Sequence, residues 1–260
     1  MSKKKKRLID LDRDGYRRDG QDFNNRGEYS IRGNYKEPKE DRYKKNVIVS
    51  AQTEGQKEYI IAIKNNSITF CCGPAGCGKT AVSVGIALQY MMAPQPSFEK
   101  LIVMRPAKEA CDEKIGFLPG DMGDKMSVWI SPVVDNMEVF IDKSQIKNLF
   151  YQEKVEVIPT AFARGRSLNN AFIIVDEAQN LSQQQMIMIL TRLGKNSKMV
   201  LNGDLAQSDL KVESGLYDAM QRLQDIEGIG FCEMQNSDIV RNPLIGSILD
   251  RYMEPDSKES

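Results

Sequence analysis

Eight residues, Gly73-Pro74-Ala75-Gly76-Cys77-Gly78-Lys79-Thr80, match a phosphate-binding loop of the form G-x-x-x-x-G-K-[ST] at every fixed position. Glycines at this spacing let successive backbone N–H groups turn inward around a polyphosphate, and a following helix aims its positive end at the same charge. The pattern assigns Lys79 to the β- and γ-phosphates of a nucleoside triphosphate and the Thr80 hydroxyl to Mg²⁺, with Ala81 opening the helix. A second cluster, Asp176-Glu177, ends the apolar run Ala171–Val175. Strand-end carboxylates of a parallel sheet meet ligands there. Asp176 is then the Mg²⁺ carboxylate, and Glu177 the base that orients and deprotonates an attacking water.

Two further segments add polar groups at the same edge. Asn202-Gly203-Asp204-Leu205-Ala206-Gln207 follows the apolar run 198–201, so Asp204 and Gln207 are placed to sense a γ-phosphate. Gln56 precedes the loop and admits two roles: pairing its amide with adenine N6 and N7, or closing a Thr53-x-x-Gln56 capping box at a helix start. Phosphoryl transfer also calls for an arginine on the γ-phosphate, often from a neighbouring subunit. Arg105, Arg164, Arg166 and Arg241 are the candidates.

Positioning these residues requires alternating elements. From Val47 onward, strand-like runs at 67–72, 100–104, 154–158, 171–175, 198–202 and 229–234 alternate with helical patterns, including 81–92 directly after the loop. The expected fold is α/β, a parallel sheet with helices on both faces. Met186, Leu190 and Leu193 recur at helical spacing and are expected in the core.

The chain has 260 residues, 41% of them apolar, and equal numbers of acidic and basic residues. Residues 1–46 carry 15 of its 36 Lys/Arg but only 9 of its 36 Asp/Glu, a basic arm joined to an acidic body. That arm lacks aliphatic periodicity and is expected to be disordered in isolation. Its interleaved Tyr, Phe and Arg suit either stacking on single-stranded nucleic acid or a plain solvating tail. No apolar stretch approaches the ~20 residues of a membrane span. Lys3–Arg7 is followed by Asp10, Asp12 and Asp14 rather than by an apolar segment, so a cytoplasmic location is expected. Five cysteines contain no C-x-x-C pair and there is no histidine, so they are expected to be reduced thiols. Cys77, inside the loop, is either a small tolerated residue or a point where oxidation blocks nucleotide.

Six segments together, Met104–Ala110, Ile115–Asp121, Ala163–Asn170, Val175–Asn180, Leu201–Gln207 and Ile239–Leu244, resemble the PhoH family of P-loop NTPases across roughly residues 47–253. The resemblance implies a RecA-like domain similar to the first domain of superfamily 1 helicases, with an extra strand between the two Walker strands. It implies that Asp176 and Glu177 are the Walker B pair. Gln207 matches a helicase motif coupling hydrolysis to nucleic acid, and Arg241 falls where those helicases meet the γ-phosphate. It further implies ATP and Mg²⁺ as cofactors, RNA or single-stranded nucleic acid as partner, a hexameric ring with arginines given in trans, and an association with phosphate starvation. The expected organisation is a basic arm (1–46), an ATPase domain (47–253) and a short tail (254–260), with no nuclease domain. A nucleotide-gated RNA-binding or assembly module and a P-loop small-molecule kinase are the alternative functions.

Overall fold

The structure, a computed structural model, describes residues 47–106, 122–208 and 214–240; within 122–129 it describes the backbone alone. The arm 1–46, Ile115–Asp121, Arg241 and the tail 254–260 therefore lie outside the described residues.

The unit Tyr43–Ser260 is built on six strands: β1 (Ile68–Cys72), β2 (Lys100–Arg105), β3 (Val155–Pro159), β4 (Ala171–Val175), β5 (Lys198–Gly203) and β6 (Ile229–Glu233). Every expected strand is present. They form one sheet in the order β3-β2-β4-β5-β1-β6, and every pairing is parallel. β5 thus lies between β1, which leads into the loop, and β4, which ends in the acidic pair. This is the extra strand expected between the two Walker strands.

Largely apolar runs form the four inner strands because both faces of the sheet are covered there. Alternation then sorts each strand between two cores. Cys71, Leu101, Val103, Phe172, Ile174 and Val200 join the core shared with α1 (Glu54–Asn65), α2 (Lys79–Met91), α3 (Met122–Glu138) and α4 (Lys143–Tyr151). Phe70, Ile102, Met104, Ile173, Val175 and Leu201 face the opposite core, closed by α5 (Gln183–Leu190) and α6 (Gly215–Arg222). Met186 is buried in that second core, and Leu190 and Leu193 pack half-buried against it. A fully buried side chain such as Phe172 contributes about 1.5–3 kcal/mol by leaving water.

Local chemistry sets the helix ends. Asp142 with Gln145 and Ser182 with Gln185 form capping boxes that open α4 and α5, while Ser214 accepts from Leu216 N at the start of α6. Thr53 caps α1 by accepting from Gln56 N, 3.2 Å. The reciprocal half of the expected box is absent, because the Gln56 side chain takes Gln52 N instead of the cap's own N–H. At the other end of α1, the Lys198 ammonium, at the start of β5, donates to the carbonyls of Ile63 and Asn66. It satisfies acceptors that the helix leaves open.

Beyond β6 the chain turns back toward α1. Asp238 Oδ1 accepts from Gly55 N at 3.1 Å and Oδ2 from Gln235 N at 2.8 Å. Two residues later, Val240 N donates to Gly76 O at 3.1 Å, so this segment reaches the phosphate loop itself.

Candidate functional site

Parallel register brings the strand ends to one edge: Cys72 pairs with Gly203, Val175 with Leu201, and Met104 with Val175. From the end of β1 the chain turns through Gly73–Gly78. Gly76 and Gly78 have φ of 90° and 87°, left-handed backbone that only glycine adopts without strain. Gly78 is also the N-cap of α2 and offers no capping side chain, so the first N–H groups of that helix remain available to an anion. Lys79 Nζ donates to the carbonyls of Gly73 (2.6 Å) and Pro74 (2.9 Å), bracing the loop across its own ring.

Beneath the loop, Cys77 is fully buried and its Sγ donates to Pro74 O, 3.0 Å. Burial raises its thiol pKa against the opposing pull of Lys79, which leaves little reactive thiolate. The Cys77 carbonyl accepts from Gln56 Nε2 at 3.0 Å, and Gln56 Oε1 accepts from Gln52 N at 2.8 Å. Only 3% of Gln56 is exposed, so its amide supports the loop from below.

The carboxylates arrive from β4. Asp176 is buried, and its Oδ1 accepts from Thr80 Oγ1 at 2.8 Å. Its Oδ2 accepts from Arg105 Nε at 3.1 Å and Nη2 at 2.5 Å. Arg105, at the end of β2, is therefore committed to an acidic partner in its own chain. Glu177 takes the left-handed conformation, φ 57° and ψ 37°, which for a residue with a Cβ costs about 1–2 kcal/mol. This turn separates the two acids. Asp176 faces the loop, whereas Glu177 is exposed with Oε2 accepting from Gln179 Nε2 at 2.8 Å.

β5 supplies a polar chain. Buried Asn202 accepts from the Tyr59 hydroxyl and donates to Ser83 Oγ at 3.1 Å, and Ser83 Oγ donates to Thr80 O at 3.0 Å. One amide thereby connects α1, α2 and the strand between the two Walker strands. Burial pushes the Tyr59 phenol well above its ordinary pKa, keeping it a neutral donor. Asp204 accepts from Ala206 N at 3.1 Å and opens the 3-10 turn Leu205–Gln207, in which Gln207 is exposed.

These ends surround a cleft of about 370 Å³. Ala75, Gly76, Gly78, Lys79, Thr80 and Ala81 form one wall; Arg105, Asp176, Glu177, Asp204 and Gln207 lie across it, with Val240 at the margin. Of the other arginine candidates, Arg166 makes a two-pronged pair with Glu156 (2.7 and 2.8 Å), and Arg164 is exposed. Sequence reasoning passed over Gln179, Tyr59 and the pairing of Arg105 with Asp176. Gln179 stood inside the quoted motif Val175–Asn180, but its partner Asp204 is 25 positions away.

The family profile described as "PhoH-like protein" matches residues 48–253. A PhoH-like protein of Synechocystis sp. is 45% identical over 207 residues, covering 79% of this chain and 62% of that protein. A PhoH-like protein of Bacillus subtilis is 40% identical over 206 residues, 78% of this chain and 64% of the relative. Protein PhoH of Escherichia coli is 39% identical over 208 residues, 78% and 58% respectively. The chain thus spans about three-fifths of the length of these curated relatives. Among solved structures, the large terminase of a thermophilic bacteriophage is 12% identical, with a TM-score of 0.47 over 77% of this chain and 49% of that one. The UvsW helicase of bacteriophage T4 is 12% identical, with a TM-score of 0.41 over 72% of this chain and 63% of that one. Among the described residues no helix is long and apolar enough to cross a membrane.

Proposed function

This chain belongs to the PhoH-like protein family, and from that premise we propose that it is a magnesium-dependent ATPase coupled to RNA or single-stranded nucleic acid. The observation that carries the reading is the meeting of Lys79, Thr80, Asp176, Glu177, Asp204 and Gln207 around one cleft of about 370 Å³.

In this reading the loop N–H groups and the open N-terminus of α2 receive the β- and γ-phosphates. Lys79 exchanges its carbonyl contacts for phosphate oxygens. Thr80 and Asp176, whose oxygens stand 2.8 Å apart, are hard donors of the type that holds Mg²⁺, which when bound neutralises charge on the β- and γ-phosphates. Glu177, exposed on the other side of the acidic turn, orients a water and takes its proton as the new P–O bond forms. The bond to the β-phosphate oxygen breaks, giving ADP and phosphate. Gln207 senses the γ-phosphate, whereas the Gln56 amide, committed to Cys77 O and Gln52 N, supports the loop in place of the adenine contact expected from the sequence. Arg241 or the exposed Arg164 contributes the positive charge that stabilises transfer, across a subunit boundary if the chain forms a hexameric ring. The location that fits this work is the cytoplasm.

Phosphate release by purified protein, with and without single- and double-stranded RNA and DNA, tests the reading. Lys79→Ala is expected to lose ATP binding in calorimetry. Glu177→Gln is expected to keep binding but slow hydrolysis by roughly 10²–10⁴-fold, the usual contribution of a positioned base. A Glu177→Gln protein as active as wild type refutes the assignment. Phosphate appearing only with a small-molecule acceptor indicates a kinase, and binding without turnover indicates a nucleotide-gated module. Native mass measurement with bound nucleotide tests the ring.

A further inference from the structure

Behind the acidic turn lies a side chain that the hydrolytic assignment leaves unused. Gln179 is 1% exposed, and both ends of its amide are engaged by the loops that meet at the cleft. Nε2 donates to Glu177 Oε2 at 2.8 Å, while Oε1 accepts from Asp204 N at 3.1 Å. This orientation of the amide has a chemical basis. A backbone N–H only donates and an ionised carboxylate only accepts, so the oxygen must face Asp204 and the nitrogen must face Glu177. The main-chain carbonyl of Gln179 is held as well, accepting from Ser208 Oγ at 3.2 Å and Ser214 Oγ at 2.8 Å. Gly203 allows the approach: a Cβ there would stand 3.2 Å from Gln179 Oε1 and 2.2 Å from Leu216 Cδ2.

The connection continues toward the cleft. Asp204 O accepts from Gln207 N at 3.0 Å, so a short series of hydrogen bonds runs from Gln207 through Asp204 and Gln179 to the Glu177 carboxylate. Glu177 occupies a left-handed backbone conformation that its surroundings must impose. An exposed glutamate on such a turn has free rotamers unless a fixed partner selects one, and Gln179 is fixed at three points.

We infer that Gln179 is the positioning residue of Glu177 and makes the direction of that carboxylate depend on the Asp204–Gln207 turn. Burial keeps Gln179 away from substrate, and it acts through Glu177. A movement of the turn on loss of the γ-phosphate would reach the base through this one amide. The inference rests on the reading of Glu177 as the base that activates water.

The test uses the whole chain with Gln179→Met, which keeps length and removes both side-chain hydrogen bonds, and Gln179→Asn, which keeps the amide but shortens its reach. Calorimetric affinity for MgATP is expected to stay within about threefold of wild type, while the single-turnover rate falls roughly 10- to 100-fold, the scale of a misaimed reacting group. The melting temperature controls for folding, and the Asn variant carries the test if the Met variant does not fold. In a double-mutant cycle, Gln207→Ala, which keeps the main-chain bond to Asp204 O but removes the side chain that senses the γ-phosphate, is expected to cost less when added to Gln179→Met than alone, because the relay it feeds is already cut. A single-turnover rate within twofold of wild type overturns the inference. So does a parallel loss of affinity, rate and melting temperature, which marks a purely structural residue, and so do additive effects in the cycle. If wild-type protein releases no phosphate, the ATPase reading fails and takes this inference with it; if wild type is active and Glu177→Gln is not, only the Gln179 data decide.

Discussion

The two walls of the cleft are held by different means. The phosphate loop is shaped within itself: Gly76 and Gly78 supply the left-handed backbone, and Lys79 ties back to carbonyls five and six residues away. The acidic wall is shaped from a distance. Asp176 is held by Thr80 from 96 positions away and by Arg105 from 71, and Glu177 by a glutamine itself held by Asp204. A tight glycine turn can be specified by local backbone conformation, whereas two adjacent carboxylates that face different ways need separate partners.

Arg105→Ala should have the largest effect on stability. It leaves the nearly buried Asp176 with Thr80 alone, and breaking such a pair is expected to cost about 2–3 kcal/mol, toward the low end for buried pairs because Arg105 is 17% exposed. Urea unfolding measures this; a variant as stable as wild type would break the contrast, showing that the acidic wall stands without its distant partner. Gly78→Ala should act next. It places a side chain at φ 87° and a Cβ 2.9 Å from Gln56 Nε2, costing about 1–2 kcal/mol with weaker nucleotide binding by calorimetry. If binding is unchanged, local backbone conformation does not hold the loop.

The smallest effect sharpens the comparison, because the segment that reaches the loop through Val240 N and Gly76 O is itself anchored at a distance by Asp238. Burial opposes the charge on Asp238, but the N–H groups of Gln235 and Gly55 and the Thr53 hydroxyl prevail and hold the carboxyl below the ordinary aspartate value of 3.8. Since the folded pKa is the lower one, the stabilisation is present above that value and lost as pH falls through the folded pKa. Asp238→Asn should therefore cost about 1 kcal/mol at neutral pH, the scale of one hydrogen-bonding group, with a difference from wild type that shrinks below about pH 4 in pH-resolved melting.

The same contrast explains what could be foreseen. The four inner strands were legible because strands buried on both faces must be largely apolar, the edge strands β3 and β6 because shorter apolar runs mark them, and the loop because its constraints fall within eight consecutive residues. Asp176 and Glu177 were legible as strand-end acids. The partners were not. Arg105 carries no mark distinguishing a fixed counterion from a mobile arginine, and Gln56 looks like a complete capping box until its side chain is seen to reach Gln52 and Cys77 instead. Gln179 was written in plain sight, but its use depends on where β5 ends beside β4.

The contact between the start of α1 and the turn after β6 also constrains sequence drift. A methyl group at Gly55 would fall 2.4 Å from Asp238 Oδ2. The constraint runs one way: position 238 can change while 55 stays glycine, whereas any homologue that gains a side chain at 55 should have moved or given up the acid at 238.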